Sequence, residues 1–100
     1  MIRHKFRAVA VKRDGWHFPS KHEARVYDEL CLAQKAGKVL FFLRQVPFHL
    51  PGNVKLVCDF LVFYPDGTAE FIDAKGKETP HWRDKRKIVE RLYPVKIRLV

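Results

Sequence analysis

Asp73-Ala74-Lys75 places a carboxylate and an ammonium group two residues apart. Side chains alternate along a strand, so both project from one face. An acid and a lysine side by side can hold a divalent cation and position a water beside a phosphate. The spacing alone is weak, and a solvated charge pair would explain it equally well. The turn upstream adds weight. Tyr64-Pro65-Asp66-Gly67 suits a type I turn with Gly67 left-handed, the three-residue hairpin loop that carries a bulge. That loop pairs Tyr64 with Thr68 and brings Asp59 opposite Asp73 on the same face. A two-residue turn would put the two acids on opposite faces, so the inference depends on the turn type. Facing carboxylates repel when both are ionised unless a cation sits between them. Oxygen donors of this kind suit Mg²⁺ or Mn²⁺. Asp59 stands between Cys58 and Phe60 in an apolar run, where an unpaired carboxylate is costly to bury.

Glu23 is a third candidate acid with two explanations. It follows Ser20 at capping-box spacing, which accounts for it structurally. It also shares a helical stripe with Tyr27 and Leu30, the face that packs on a sheet. The five histidines form no metal set, and no Cys-His spacing fits zinc. Ser20 has no base–orienter pattern, and there is no glycine-rich phosphate loop. Serine hydrolase, P-loop and dinucleotide-binding readings find no support, and no organic cofactor is expected.

Charge supplies the expected partner class. Twenty Lys and Arg against eleven Asp and Glu give a net charge of +9 over 100 residues. An excess of this size points to a polyanion, most often nucleic acid. Residues 1–13 carry Arg3, Lys5, Arg7, Lys12 and Arg13 and no acid, and residues 75–100 carry nine bases and three acids. Between them, residues 14–74 hold six bases and eight acids. A locally acidic middle between basic ends fits a carboxylate site flanked by phosphate-binding surfaces. Lys77, Arg83, Lys85, Arg86 and Lys87, with Arg13 and Lys21, are the candidate nucleic-acid contacts. Trp82, among them, stacks on a base or packs on the sheet, and packing is favoured.

A single domain spanning 1–100 must position these groups, and a chain of this size buries one core with little to spare. Hydrophobic content of 47% argues for a folded globule. No apolar run approaches a membrane span or a signal peptide. Two cysteines are too few for a disulfide framework, which points to a cytoplasmic protein with reduced thiols. The predicted order begins with strands at Phe6–Val11 and Trp16–Phe18, then a helix from Ser20 to Ala36 stopped by Gly37. Strands follow at Val39–Leu43, Val46–Leu50, Val54–Tyr64 and Ala69–Lys75. After a loop at 76–80, a helix runs from the Thr79 cap through Pro80 to about Leu92, and Val95–Val100 is a last strand. This is an α/β chain with a mixed sheet flanked by helices.

With Glu23, Asp59, Asp73-Ala74-Lys75 and a basic helix in that order, the chain resembles the PD-(D/E)xK nuclease superfamily. More closely it is similar to a family of short phage and prophage proteins of this type, and more distantly to phage endonuclease I, a Holliday junction resolvase. The resemblance covers nearly the whole chain. It includes Asp14-Gly15, Ser20 to Arg25 with Tyr27, Gly37, Gln45, Cys58-Asp59-Phe60, Asp73 to Gly76 with Thr79, and the basic segment 85–87. It implies a restriction-endonuclease-like core of helix, three antiparallel strands, helix and strand, preceded here by a strand pair. It also implies a phage-encoded, metal-dependent DNA endonuclease acting in the host cell. Asp59, Asp73 and the Ala74 carbonyl would be metal ligands, and Glu23 would complete the site. Lys75 would orient or activate the attacking water and stabilise the developing phosphorane charge, with Gln45 nearby. Cys58 replaces the superfamily's proline, which performs no chemistry. The reaction implied is phosphodiester hydrolysis, either selective for branched DNA as a homodimer, or nicking or single-strand-specific as a monomer. The competing expectation is a non-catalytic nucleic-acid-binding accessory protein on the same fold.

Overall fold

The computed structural model describes residues 10–75 and 77–100. It is an α+β arrangement of two helices, a mixed four-stranded sheet and a separate strand pair. In the pair, β1 (Val11–Arg13) runs antiparallel to β2 (Trp16–Phe18). Asp14 and Gly15 join them with φ of 52° and 83°, the positive values that a tight hairpin turn needs. The predicted strand reached back to Phe6; residues 6–9 lie outside the described residues, as do Arg3, Lys5, Arg7 and Gly76 of the predicted loop.

Ser20 caps α1 (Lys21–Lys35), its Oγ accepting from the Glu23 N–H at 3.1 Å. Gly37, at φ 78°, turns the chain out of the helix as the sequence predicts. β3 (Phe41–Leu50) and β4 (Val54–Phe63) form a long antiparallel hairpin, and β5 (Ala69–Asp73) adds antiparallel to β4. Thr79 caps α2 (Pro80–Leu92), and β6 (Ile97–Leu99) returns parallel to β5. The sheet order is β3-β4-β5-β6. Pro47, which cannot donate to a ladder, is accommodated because β3 is an edge strand. Among the described residues no helix is long and apolar enough to cross a membrane.

Two predictions are corrected. The strand expected over Ala69–Lys75 ends at Asp73, so strand alternation does not place Lys75. Val39–Leu43 and Val46–Leu50 are not separate strands, since β3 is continuous from Phe41 to Leu50. Arg44 pairs with Phe60 and Val46 with Cys58, so the register is the same on both sides of Gln45. Gln45 itself is at φ 54°, outside the ladder. A single left-handed residue interrupts the ladder without ending the strand or shifting its register.

The core divides at the same level. Phe60 and Val62 of β4 pack with Ala24, Val26, Tyr27 and Leu30 of α1, together with Phe18 and Ile72. Leu56 and Cys58 of the same strand pack instead with Trp82 and Val89 of α2, beside Phe48, Leu50 and Ile97. The changeover between the two clusters falls at Asp59.

Candidate active site

Pro65-Asp66-Gly67 fixes where the acids meet. The Gly67 N–H donates to the Tyr64 carbonyl at 3.0 Å, the Tyr64 N–H to the Thr68 carbonyl at 2.9 Å, and Gly67 is at φ 92°. This is the bulged loop predicted from the sequence, and it sets Phe60 opposite Ile72 and Phe63 opposite Ala69. Continued by one residue, that register brings Asp59 to Asp73. There the ladder stops: Asp59 pairs with neither β3 nor β5. Side chains take over. The Asp59 N–H donates to Asp73 Oδ1 at 3.2 Å, and the Ala74 N–H donates to Asp59 Oδ2 at 2.9 Å. The two carboxylates clasp a fork between β4 and β5, and β6 fixes the lower prong through the Val100 N–H on the Asp73 carbonyl at 3.1 Å.

Glu23 arrives from α1. Its N–H serves the Ser20 cap, but its carboxylate does not close a capping box. It accepts from Gln45 Nε2 at 3.2 Å and lies 3.9 Å from the Arg44 guanidinium. The same Gln45 Nε2 is 3.5 Å from Asp59 Oδ1, so one amide joins the helix-borne acid to the strand-borne one. Glu23 is only 3% exposed, and burial raises its carboxyl above the usual range; Arg44 opposes the rise, Asp73 adds to it and Lys75 opposes it. Lys75, on the residue after Ala74, holds its Nζ 5.5 Å from the Trp82 ring centroid. The sequence thus brings Glu23, Gln45, Asp59, Asp73, Ala74 and Lys75 to one place, and the capping explanation of Glu23 covers its backbone alone.

Asp73 is the most constrained of the set. It is 1% exposed, and its Oδ2 is buried without a hydrogen-bond partner. Burial, then the hydrogen bond and charge of Asp59, push its pKa up to about 7, with Lys75 pulling the other way. An orphaned carboxylate oxygen beside a second carboxylate fits a cation. Among the described residues no three His, Cys, Asp or Glu side chains converge closely enough to cage an ion unaided. Asp59 and Asp73 would therefore hold one with the Ala74 carbonyl and water, Glu23 standing behind the Gln45 amide.

The other expected positions are spread around this centre. Lys21, Lys77 and Lys87 are exposed. Arg83 and Arg86 meet Glu78 at 3.1 and 3.5 Å, Arg13 meets Asp28 at 3.1 Å, and Lys85 reaches the Lys55 carbonyl at 3.4 Å. Partly exposed pairs of this kind are weak enough to exchange for phosphates. Trp82 packs in the α2 core, with the Arg86 guanidinium 5.4 Å from its ring centroid. The Cys58 thiol, pushed up to about 12 chiefly by burial, donates to the Ile72 carbonyl at 3.3 Å and is not a reactive group.

Sequence reasoning missed Arg44. It occupies an inward position of β3, where an apolar residue is expected, and stacks 4.1 Å from the Phe18 ring centroid while facing Glu23. Read as a break between two apolar runs, Arg44-Gln45 carries no local signal of an inward position. Sequence reasoning also underrated Gln45, whose left-handed backbone aims the amide at both acids. Left-handed geometry costs a residue with a Cβ about 1–2 kcal/mol. Gln45→Gly is therefore expected to be about 1 kcal/mol more stable than Gln45→Ala in urea unfolding, the reverse of the order in an ordinary strand.

No curated protein and no solved structure matches the chain. A family model described as "Protein of unknown function (DUF1064)" matches residues 3–100, and the chain belongs to that family.

Proposed function

We propose that this protein is a metal-dependent DNA endonuclease built on a restriction-endonuclease-like core. The observation that carries the reading is the forked pair Asp59 and Asp73, with Asp73 Oδ2 buried and unpartnered. A structural acid pair would be expected to satisfy its buried oxygens from the protein; this one leaves an acceptor for a cation. Element order supports it as well: one helix, three antiparallel strands, a second helix and a parallel return strand. Mg²⁺ or Mn²⁺ held at Asp59, Asp73 and the Ala74 carbonyl would polarise a phosphate and acidify a water. Lys75 brings the ammonium group that orients the attacking water and offsets charge growing on phosphate oxygens. Glu23 and Gln45 hold Asp59 in place from the helix side, and the exposed lysines bind the phosphate backbone.

The test is incubation with supercoiled plasmid and a synthetic four-way junction in Mg²⁺, in Mn²⁺ and in EDTA. Cutting in either metal and none in EDTA is the expected result, and junction preference over plasmid would separate a resolving enzyme from a nicking one. Protein that shifts both DNAs in a gel yet cuts neither would be an accessory binding protein instead.

Metal binding should also depend on pH. Because the Asp73 pKa is raised to about 7, a cation must displace a proton below neutrality. Affinity for Mn²⁺ by calorimetry is expected to rise roughly tenfold per pH unit below that value and level off above it.

A further inference from the structure

Beside the acids lies a cleft of about 460 Å³ between the strand pair, α1 and the edge strand β3. Its walls include Trp16, Tyr27, Phe41, Leu43, Arg44 and Gln45. The size lies within the roughly 300–1,000 Å³ usual for small-molecule sites. Trp16 is 56% exposed, and Phe41 and Leu43 are also exposed, although apolar side chains on a chain this small have every reason to be covered. The Arg44 guanidinium carbon lies 5.3 Å from the Trp16 ring centroid, and Arg44 Nε is buried without an acceptor. Two lining residues, Arg44 and Gln45, are the same two that touch Glu23.

We infer that this cleft takes one unpaired nucleobase, so that the enzyme acts on single-stranded or locally opened strands. Aromatic faces combined with a guanidinium plane are the chemistry that binds bases without regard to sequence. The base of an intact duplex is stacked on both sides and has no free face to offer Trp16. Arg44 brings a cation to the cleft wall, and the chain's net charge of +9 favours a polyanionic strand as partner over a neutral aromatic metabolite or an apolar peptide. The inference rests on the endonuclease reading for its consequence, since the cleft and the acids share Gln45, but not for the binding itself.

The test is done in EDTA with the whole chain, so that nothing is cut. Oligothymidylate, oligouridylate, an abasic strand of equal length and a duplex are titrated by anisotropy, with tryptophan fluorescence followed in parallel. Wild-type protein is expected to bind both base-bearing strands about tenfold more tightly than the abasic one, with fluorescence quenched only by the former. Trp16→Ala should bring oligothymidylate down to the abasic level and leave duplex affinity unchanged, with Trp16→Phe between the two. Equal binding of abasic and thymidylate strands overturns the inference using wild-type protein alone, as does a Trp16→Ala effect of the same size on duplex. If bases and Trp16 matter but no metal supports cutting, the cleft stands and the endonuclease reading falls. If metal-dependent cutting occurs with indifference to Trp16 and to bases, the cleft proposal falls and the endonuclease stands.

Discussion

Asp73→Asn is expected to abolish cleavage, by about a thousandfold or more, while making the protein more stable at pH 8. The activity loss follows from removing the negative charge nearest the proposed cation, at the scale seen when a preorganised electrostatic group is lost from an active site. The stability gain follows from the raised pKa of Asp73. A carboxyl whose folded pKa lies above its unfolded value holds more protons in the folded state, so stability falls as pH rises from about 4 to about 7 and is flat beyond. Asparagine removes that slope. Its carbonyl still accepts from the Asp59 N–H, and its amide can donate to the Asp59 carboxylate. A gain on the order of 2 kcal/mol is expected in metal-free urea unfolding at pH 8, vanishing by pH 4. Asp73→Ala should be equally inactive but less stable than Asp73→Asn, because it leaves the Asp59 N–H without its acceptor. An Asp73→Asn protein that still cuts would remove the metal site from the argument altogether.

Lys75→Met is the second large effect. Single-turnover cleavage is expected to fall by about 10²–10⁴, the range of a positioned proton-handling or charge-stabilising group. DNA affinity in a gel shift should change little, because at most one phosphate contact is lost among many. Stability should also change little: the interaction of Nζ with the Trp82 ring contributes about 0.5–1 kcal/mol, and methionine retains the stem that packs there. Lys75→Arg is not expected to restore the rate, since a planar guanidinium on a longer side chain cannot place its charge at the same point. Wild-type cutting by Lys75→Met would reduce Lys75 to a packing partner of Trp82.

Much of this site could be read from residue types because turn chemistry sets register. Pro65-Asp66-Gly67 admits a bulged type I loop, and that loop alone decides that Asp59 faces Asp73. Capping chemistry likewise located Ser20 and Thr79 at the starts of the two helices. Glu23 was undecidable from its own neighbourhood, because its partner Gln45 lies 22 residues downstream and a capping-box glutamate has the same spacing. The continuity of β3 was illegible for a related reason. Arg44-Gln45 interrupts two apolar runs as a loop would, and nothing in a glutamine announces a positive φ. The role of Arg44 depends on Phe18 and Trp16 arriving from a hairpin far upstream, which no local pattern encodes.

The fork between β4 and β5 has a spectroscopic consequence. The amides of Asp59 and Ala74 donate to the carboxylate oxygens of the proposed site, so their ¹H and ¹⁵N resonances register a cation bound to those oxygens directly. Titrating a divalent ion should move these two peaks more than any others in the sheet. In a ¹⁵N-labelled sample they are a built-in gauge of site occupancy that needs neither substrate nor turnover. Their solvent exchange would also report how often the seam between the α1 and α2 cores opens, at the one level where the sheet is held together by its acids.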